Sequence, residues 1–112
     1  KQADARSDIY SLGITLWYLL VGRPAFEGDS LMARMLAHRE APIPSLAATL
    51  RPDSPDAKSL LSAVDAVFRK MIAKRADDRY QSMAEVVAAL EACRRGEAPV
   101  AANPVPQTSE DS

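Results

Sequence analysis

Side chains able to do acid–base, nucleophilic or metal chemistry are sparse in this chain of 112 residues. It has one imidazole, His38, and one thiol, Cys93. A single histidine removes His–His metal pairs, and a single cysteine removes a disulfide framework or a cysteine-based zinc site within the chain. His38 falls at the C-terminal end of a short predicted helix, where a cation is favoured. It reads as a solvated or capping histidine rather than an acid–base group. Cys93 falls on the apolar face of a later helix, where burial raises a thiol's pKa and makes it inert. The serines have no histidine near them in sequence, and no glycine-rich loop follows a strand to cradle a phosphate. The expected inventory is therefore no catalytic residue and no metal site.

The elements that would position these residues are helical throughout. Residues 1–8 are polar and read as the end of an incoming loop. The segment 9–21 is uncharged on every face, with Ser7 as its expected N-cap, Asp8 at its positive end and Gly22 at its C′ position. A helix apolar all round must be buried on all sides or lie in a membrane. At about 20 Å it is too short for a bilayer core, so a buried central helix is expected. A second helix is expected from Asp29 or Ser30 to about Arg39, with Leu31, Met32, Met35 and Leu36 as a narrow apolar stripe, ended by Pro42 and Pro44. Leu46, Ala47 and Leu50 allow one helical turn in the connection that follows.

The third helix opens at Ser54-Pro55, where proline's missing N–H costs nothing. Leu60, Leu61, Val64, Val67, Phe68, Met71 and Ile72 then recur at helical spacing, the strongest amphipathic pattern in the chain. Ser82-Met83-Ala84-Glu85 is a capping box opening a fourth helix, with Met83, Val86, Val87, Leu90 and Cys93 on its expected apolar side and Gly96 at its end. Residues 96–112 are proline-rich and end Ser-Glu-Asp-Ser, the composition of a flexible tail or linker. The expected fold is all-α, with four helices in a domain over 1–95.

Composition narrows the function classes. Fifteen acidic and 14 basic residues leave a net charge of -1, with no electrostatic footprint for a nucleic-acid backbone. Hydrophobic residues at 47% exclude wholesale disorder. The length suits one domain and not two. Lys1 rather than methionine at the start, with no signal-peptide pattern ahead of the first helix, leads us to expect part of a longer protein.

Three blocks carry a resemblance. They are Asp4-Ala5-Arg6-Ser7-Asp8-Ile9-Tyr10-Ser11-Leu12-Gly13, then Gly22-x-Pro24-x-Phe26, then Lys74 with Arg79-Tyr80. In order and spacing they resemble the distal half of the large lobe of protein kinases, in particular bacterial serine/threonine kinases of the eukaryotic type. The resemblance covers residues 4 to about 94. It implies that Asp8 accepts hydrogen bonds from the catalytic loop and holds it rigid, as a carboxylate at a helix N-terminus can. It implies that Arg79 pairs with a glutamate of the activation segment, tying that segment to the lobe. The alternative for Arg79 is a local surface pair with Asp77 or Asp78.

The resemblance also implies that Thr15 and Leu19, seven and eleven residues after Asp8, support the column of apolar side chains that reaches the adenine ring. Thr15 is smaller than the usual residue there and carries a hydroxyl. Tyr18 stands where many relatives have a glutamate, which weighs against a strong preference for basic substrates. Ala76 replaces a frequent proline. Helix 29–39 corresponds to a solvent-facing helix that contacts substrates or a second kinase. Its expected docking residues are Met32, Arg34, Met35 and His38, set against a stripe that merely packs on the central helix.

The motifs of phosphoryl transfer are not in the sequence. The implied function is thus the structural and docking part of a serine/threonine kinase. In that kinase ATP and Mg2+ would be bound by upstream segments and not by this chain, and protein substrates would be the partners. A cytoplasmic location is expected, with no membrane segment in these residues and membrane anchoring of the parent through a segment beyond the tail left open. The alternatives are a pseudokinase scaffold and a freestanding helical interaction domain.

Overall fold

A computed structural model of the chain describes residues 4–96. The first three residues and the tail beyond Gly96 lie outside it. Five α-helices and one 3-10 turn make up the described residues: α1 (Ala5–Val21), α2 (Leu31–Glu40), α3 (Leu46–Leu50), α4 (Pro55–Met71), the turn Ala76–Asp78, and α5 (Met83–Arg94). The four expected helices are present, and the short turn at 46–50 is a fifth. None of these helices is long and apolar enough to cross a membrane.

Side-chain caps set most of the starts. Ser30, Ser45, Ser54 and Ser82 each accept a hydrogen bond from the backbone N–H three residues on, satisfying one of the orphan donors of a first turn. The expected cap at Ser7 is corrected. Asp4 caps α1 through Oδ1, which accepts from the Arg6 N–H at 2.8 Å, and the helix begins four residues earlier than expected. A carboxylate is both a strong acceptor and a charge suited to the positive helix end, so it captures the start ahead of the serine. Glu85 completes the cap of α5 one residue upstream of the usual place, accepting from the Gln81 N–H at 2.7 Å. Gly22 closes α1 in the left-handed region, φ 86°, donating to the Tyr18 carbonyl.

The core is the seam where α1, α3 and α5 meet α4. Val67, Phe68, Met71 and Ile72 fill it from α4, Ile9 and Trp17 from α1, Leu46 from α3, and Val86, Ala89 and Cys93 from α5. Trp17 and Phe68 stack with ring centroids 5.3 Å apart. Gly13 lets α1 approach α4 closely. A Cβ there would lie 2.6 Å from Ile72 Cγ2 and 3.1 Å from Met71 Cβ, so this helix crossing depends on the missing side chain.

Asp65 is the buried charged residue in this seam. Its Oδ1 accepts from the Leu46 N–H at 2.7 Å and its Oδ2 from the Ser45 hydroxyl at 2.9 Å, fastening the start of α3 onto α4. Removing the carboxylate leaves the Leu46 N–H without its acceptor. Asp65→Ala is expected to cost about 1–3 kcal/mol, read as a lower urea midpoint with an unchanged slope.

Three expected faces are corrected. The expectation that α1 is buried on all sides fails among the described residues. Ile9, Gly13 and Trp17 are its buried stripe, one residue per turn, while Leu12, Tyr18, Leu19 and Leu20 are exposed. The neighbouring helices cover one side of α1 only. In α5 the buried stripe is Val86, Ala89, Ala92 and Cys93, and Met83, Val87 and Leu90 stay outside. Alanines let α5 lie close on α4, so they win the inner face over bulkier side chains. The third correction concerns α2. Leu31, Met32, Met35 and Leu36 all point to solvent, so the stripe does not pack on α1. Half-buried Ala33, Ala37 and His38 form the inner side instead.

Candidate functional site

Two surfaces gather the residues singled out in the sequence. The first runs along α1. Asp8, Leu12, Thr15 and Leu19 are spaced four, three and four residues apart, which places them on one face of a helix. All four are exposed, Leu19 to 74%. Asp8 lies in the first turn, and its carboxylate has no hydrogen-bond partner among the described residues. The Thr15 hydroxyl donates to the Ser11 carbonyl at 3.0 Å, a bond within the helix that leaves its methyl outward. One face of α1 thus offers a carboxylate at its positive end followed by three turns of largely apolar surface. A contiguous exposed apolar patch of this kind marks an interaction surface.

The second surface is built where the connection after α4 meets α1 and α2. Arg79 is half-buried there. Its Nε donates to the Ala73 carbonyl at 2.8 Å, and its terminal nitrogens reach the Arg6 and Lys74 carbonyls at 3.4 Å. Its guanidinium stands 4.6 Å over the Tyr10 ring. The local alternative for Arg79 does not form: Asp77 pairs instead with Arg6 at 2.7 Å, and Arg75 lies near Asp77 and Asp78. Backbone carbonyls and an aromatic face hold Arg79 in a fixed attitude without neutralising it by a carboxylate among the described residues.

Tyr10 carries the contact on to α2. Its hydroxyl is 2.7 Å from His38 Nδ1. The His38 ring packs at 4.9 Å on Phe26, and Lys74 Nζ donates to the His38 carbonyl at 2.8 Å while standing 4.3 Å over the Phe26 ring. His38 therefore faces the body of the molecule, which corrects both its reading as a solvated cap and its place among outward docking residues. Burial pushes its imidazole below the ordinary histidine range, and the Lys74 charge adds to that. Met32, Arg34 and Met35 do point outward, Met32 to 78%, with Arg34 bonded only weakly to the Gly28 carbonyl at 3.4 Å.

The remaining chemistry-bearing groups are structural. Cys93 is buried, and its surroundings push the thiol pKa up. Burial likewise drives the Tyr80 phenol up to about 12. No group of three or more His, Cys, Asp or Glu that could hold a metal occurs among the described residues. Sequence reading missed Tyr10 and Asp65. For Tyr10 the signal was its place two residues after Asp8. For Asp65 it was a lone carboxylate on the inner side of the most amphipathic helix.

No family model matches the chain. Among curated proteins, serine/threonine-protein kinase PknB of Mycolicibacterium smegmatis is 43% identical over 100 residues, 88% of this chain and 15% of that protein. PknB of Mycobacterium tuberculosis is 42% identical over 99 residues, 88% of this chain and 14% of that protein. A probable serine/threonine-protein kinase of Corynebacterium efficiens is 44% identical over 96 residues, 85% of this chain and 14% of that protein. The chain spans about a seventh of the length of these relatives.

Proposed function

Because the chain is homologous to a segment of bacterial serine/threonine-protein kinases of the eukaryotic type, we propose that it is the distal half of the large lobe of such a kinase, which transfers the γ-phosphate of ATP to protein serine or threonine. The observation that carries this reading is the open face of α1. Asp8, Leu12, Thr15 and Leu19 form a single exposed stripe on the helix whose opposite stripe is the core. A freestanding interaction domain would need some other reason to leave its central helix half covered. In the proposed kinase, upstream segments cover it. Asp8 then takes the N–H groups of the catalytic loop, and Thr15 and Leu19 back the apolar column beneath the adenine. Arg79, already oriented by the Ala73 carbonyl and the Tyr10 ring, takes the glutamate of the activation segment.

In this reading ATP and Mg2+ belong to the upstream segments, and no step is assigned to them here. Residues 1–95 serve as scaffold. The outward side of α2, with Met32, Arg34 and Met35, serves to dock protein substrates or a second kinase copy, since methionines adapt to varied partners. The proposed kinase works in the cytoplasm.

The test compares the 112-residue chain with the complete kinase containing it. Phosphoryl transfer from Mg-ATP to a serine/threonine peptide is expected from the complete protein, and no calorimetric heat of Mg-ATP binding from the chain alone. Micromolar binding of Mg-ATP by the chain would overturn the division of labour. A complete protein that folds without transferring phosphate would favour the pseudokinase.

A further inference from the structure

We propose that α2 is a separately mobile helix fastened to the body by one polar latch, the Tyr10–His38 contact backed by Phe26 and Lys74, and that the latch opens when His38 takes up a proton. Three observations build this. First, α2 contributes no buried residue, and its large apolar side chains all face solvent. Among the described residues no other helix packs extensively along it, and of its apolar side chains half-buried Ala37 is the one packed on the core, so little hydrophobic burial holds it. Second, the connection to α1 contains Gly22 in the left-handed region, and the chain leaves α2 through Ala41 and Pro42. Neither end is a continuous rigid element. Third, apart from Ala37 against the core and the weak Arg34 bond to the Gly28 carbonyl, the contacts between α2 and the rest converge on one residue: the His38 ring meets the Tyr10 hydroxyl at 2.7 Å and Phe26 at 4.9 Å, and its carbonyl takes the Lys74 ammonium at 2.8 Å.

The groups facing His38 fix the sign of its response. From α1 comes Tyr10, whose own phenol is pushed up by burial and so stays protonated as a donor. From the connection after α4 comes the Lys74 cation, and behind Tyr10 stands the Arg79 cation. From the loop before α2 comes the neutral Phe26. No carboxylate pairs with His38 among the described residues. An imidazolium in this position would meet two cations, present Nδ1 to Tyr10 only as a donor and carry its charge in a partly desolvated site. The latched form therefore prefers neutral His38, and its pKa there lies below the 6.5 of an open, solvated imidazole. The latch is intact above that value and is lost progressively as pH falls from 6.5 through the latched pKa.

The consequence, a docking helix that loosens in acid, rests on the function proposed above. The latch itself is read from geometry, and its test measures structure and not activity, so either can fail alone. The test is NMR of the 112-residue chain between pH 8 and pH 5. The His38 ring and the amides of Met35, Leu36 and Ala37 are expected to titrate together with one midpoint below 6.5, while amides of Val67 and Phe68 in α4 stay still. Tyr10→Phe keeps the ring but removes the hydroxyl. It is expected to raise the His38 midpoint towards 6.5 and to speed α2 amide exchange at pH 8 roughly 2- to 10-fold, the equivalent of one hydrogen bond. His38→Gln is expected to abolish the pH dependence of α2. The α4 amides report in each variant whether the body remains folded. An ordinary His38 midpoint, an α2 that ignores the titration, or an α2 that still responds to pH in His38→Gln would each overturn the latch.

Discussion

Truncating Phe68 to alanine is expected to cost about 3–5 kcal/mol, enough to unfold most of the helical body at room temperature. Phe68 is fully buried, stacks on Trp17 and sits where α1 crosses α4. Its removal takes away a large apolar surface and leaves a cavity between two helices, and α1 has little in reserve because only one of its stripes is covered. Phe68→Leu keeps most of the volume and is expected to cost less than about 1.5 kcal/mol. Thermal melting followed by circular dichroism separates the two variants. Equal midpoints for wild type and Phe68→Ala would place the core elsewhere than the α1–α4 seam.

Asp8→Ala is expected to act in the opposite way, with little effect on this chain and a large one on the complete kinase proposed above. The carboxylate is exposed and has no hydrogen-bond partner among the described residues. Its contribution to the chain is its interaction with the α1 dipole, about 0.3–1 kcal/mol. In the complete protein the same carboxylate is proposed to hold the catalytic loop, and a loop displaced by even 1 Å loses about 100-fold in turnover. Melting of the chain and phosphoryl-transfer assays on the complete protein, run on the same substitution, check both halves. Turnover unchanged by Asp8→Ala would remove the anchoring role.

The helices were legible because their punctuation is local. Ser30, Ser54-Pro55 and Ser82 with Glu85 mark starts by chemistry that acts within a few residues, and α4 carries a pattern strong enough to place Phe68 and Met71 inside. What escaped was decided between elements. The sequence of α1 shows that it is apolar on all sides, but which side its neighbours leave open depends on how α3, α4 and α5 arrive. In α5 the inner face turned towards Ala89 and Ala92, small enough for close approach to α4, while Val86 and Cys93 stayed inside as expected; in α2 the expected stripe of Leu31, Met32, Met35 and Leu36 was left outside.

The sites divided in the same way. Asp8, Thr15 and Leu19 could be placed on one helix face by spacing alone. The contacts of Arg79 and His38 join residues separated by 73 and 28 positions, and no local pattern carries that information. His38 was misplaced for this reason: a histidine in the last turn of a helix has a ready local role, and Tyr10, which overrides it, belongs to another helix.

The stacking of Trp17 on Phe68 has a spectroscopic consequence. Trp17 is the chain's single tryptophan, 4% exposed, and its indole N–H has no hydrogen-bond partner among the described residues. Its fluorescence therefore originates at one place, the contact of α1 with α4, from a ring buried against Phe68. Blue-shifted emission is the native signature. A red shift marks α1 lifting from α4, whatever α2 is doing at the time. The molecule thus carries its own optical probe for the step that uncovers its core, one that is blind to the helix held on by His38.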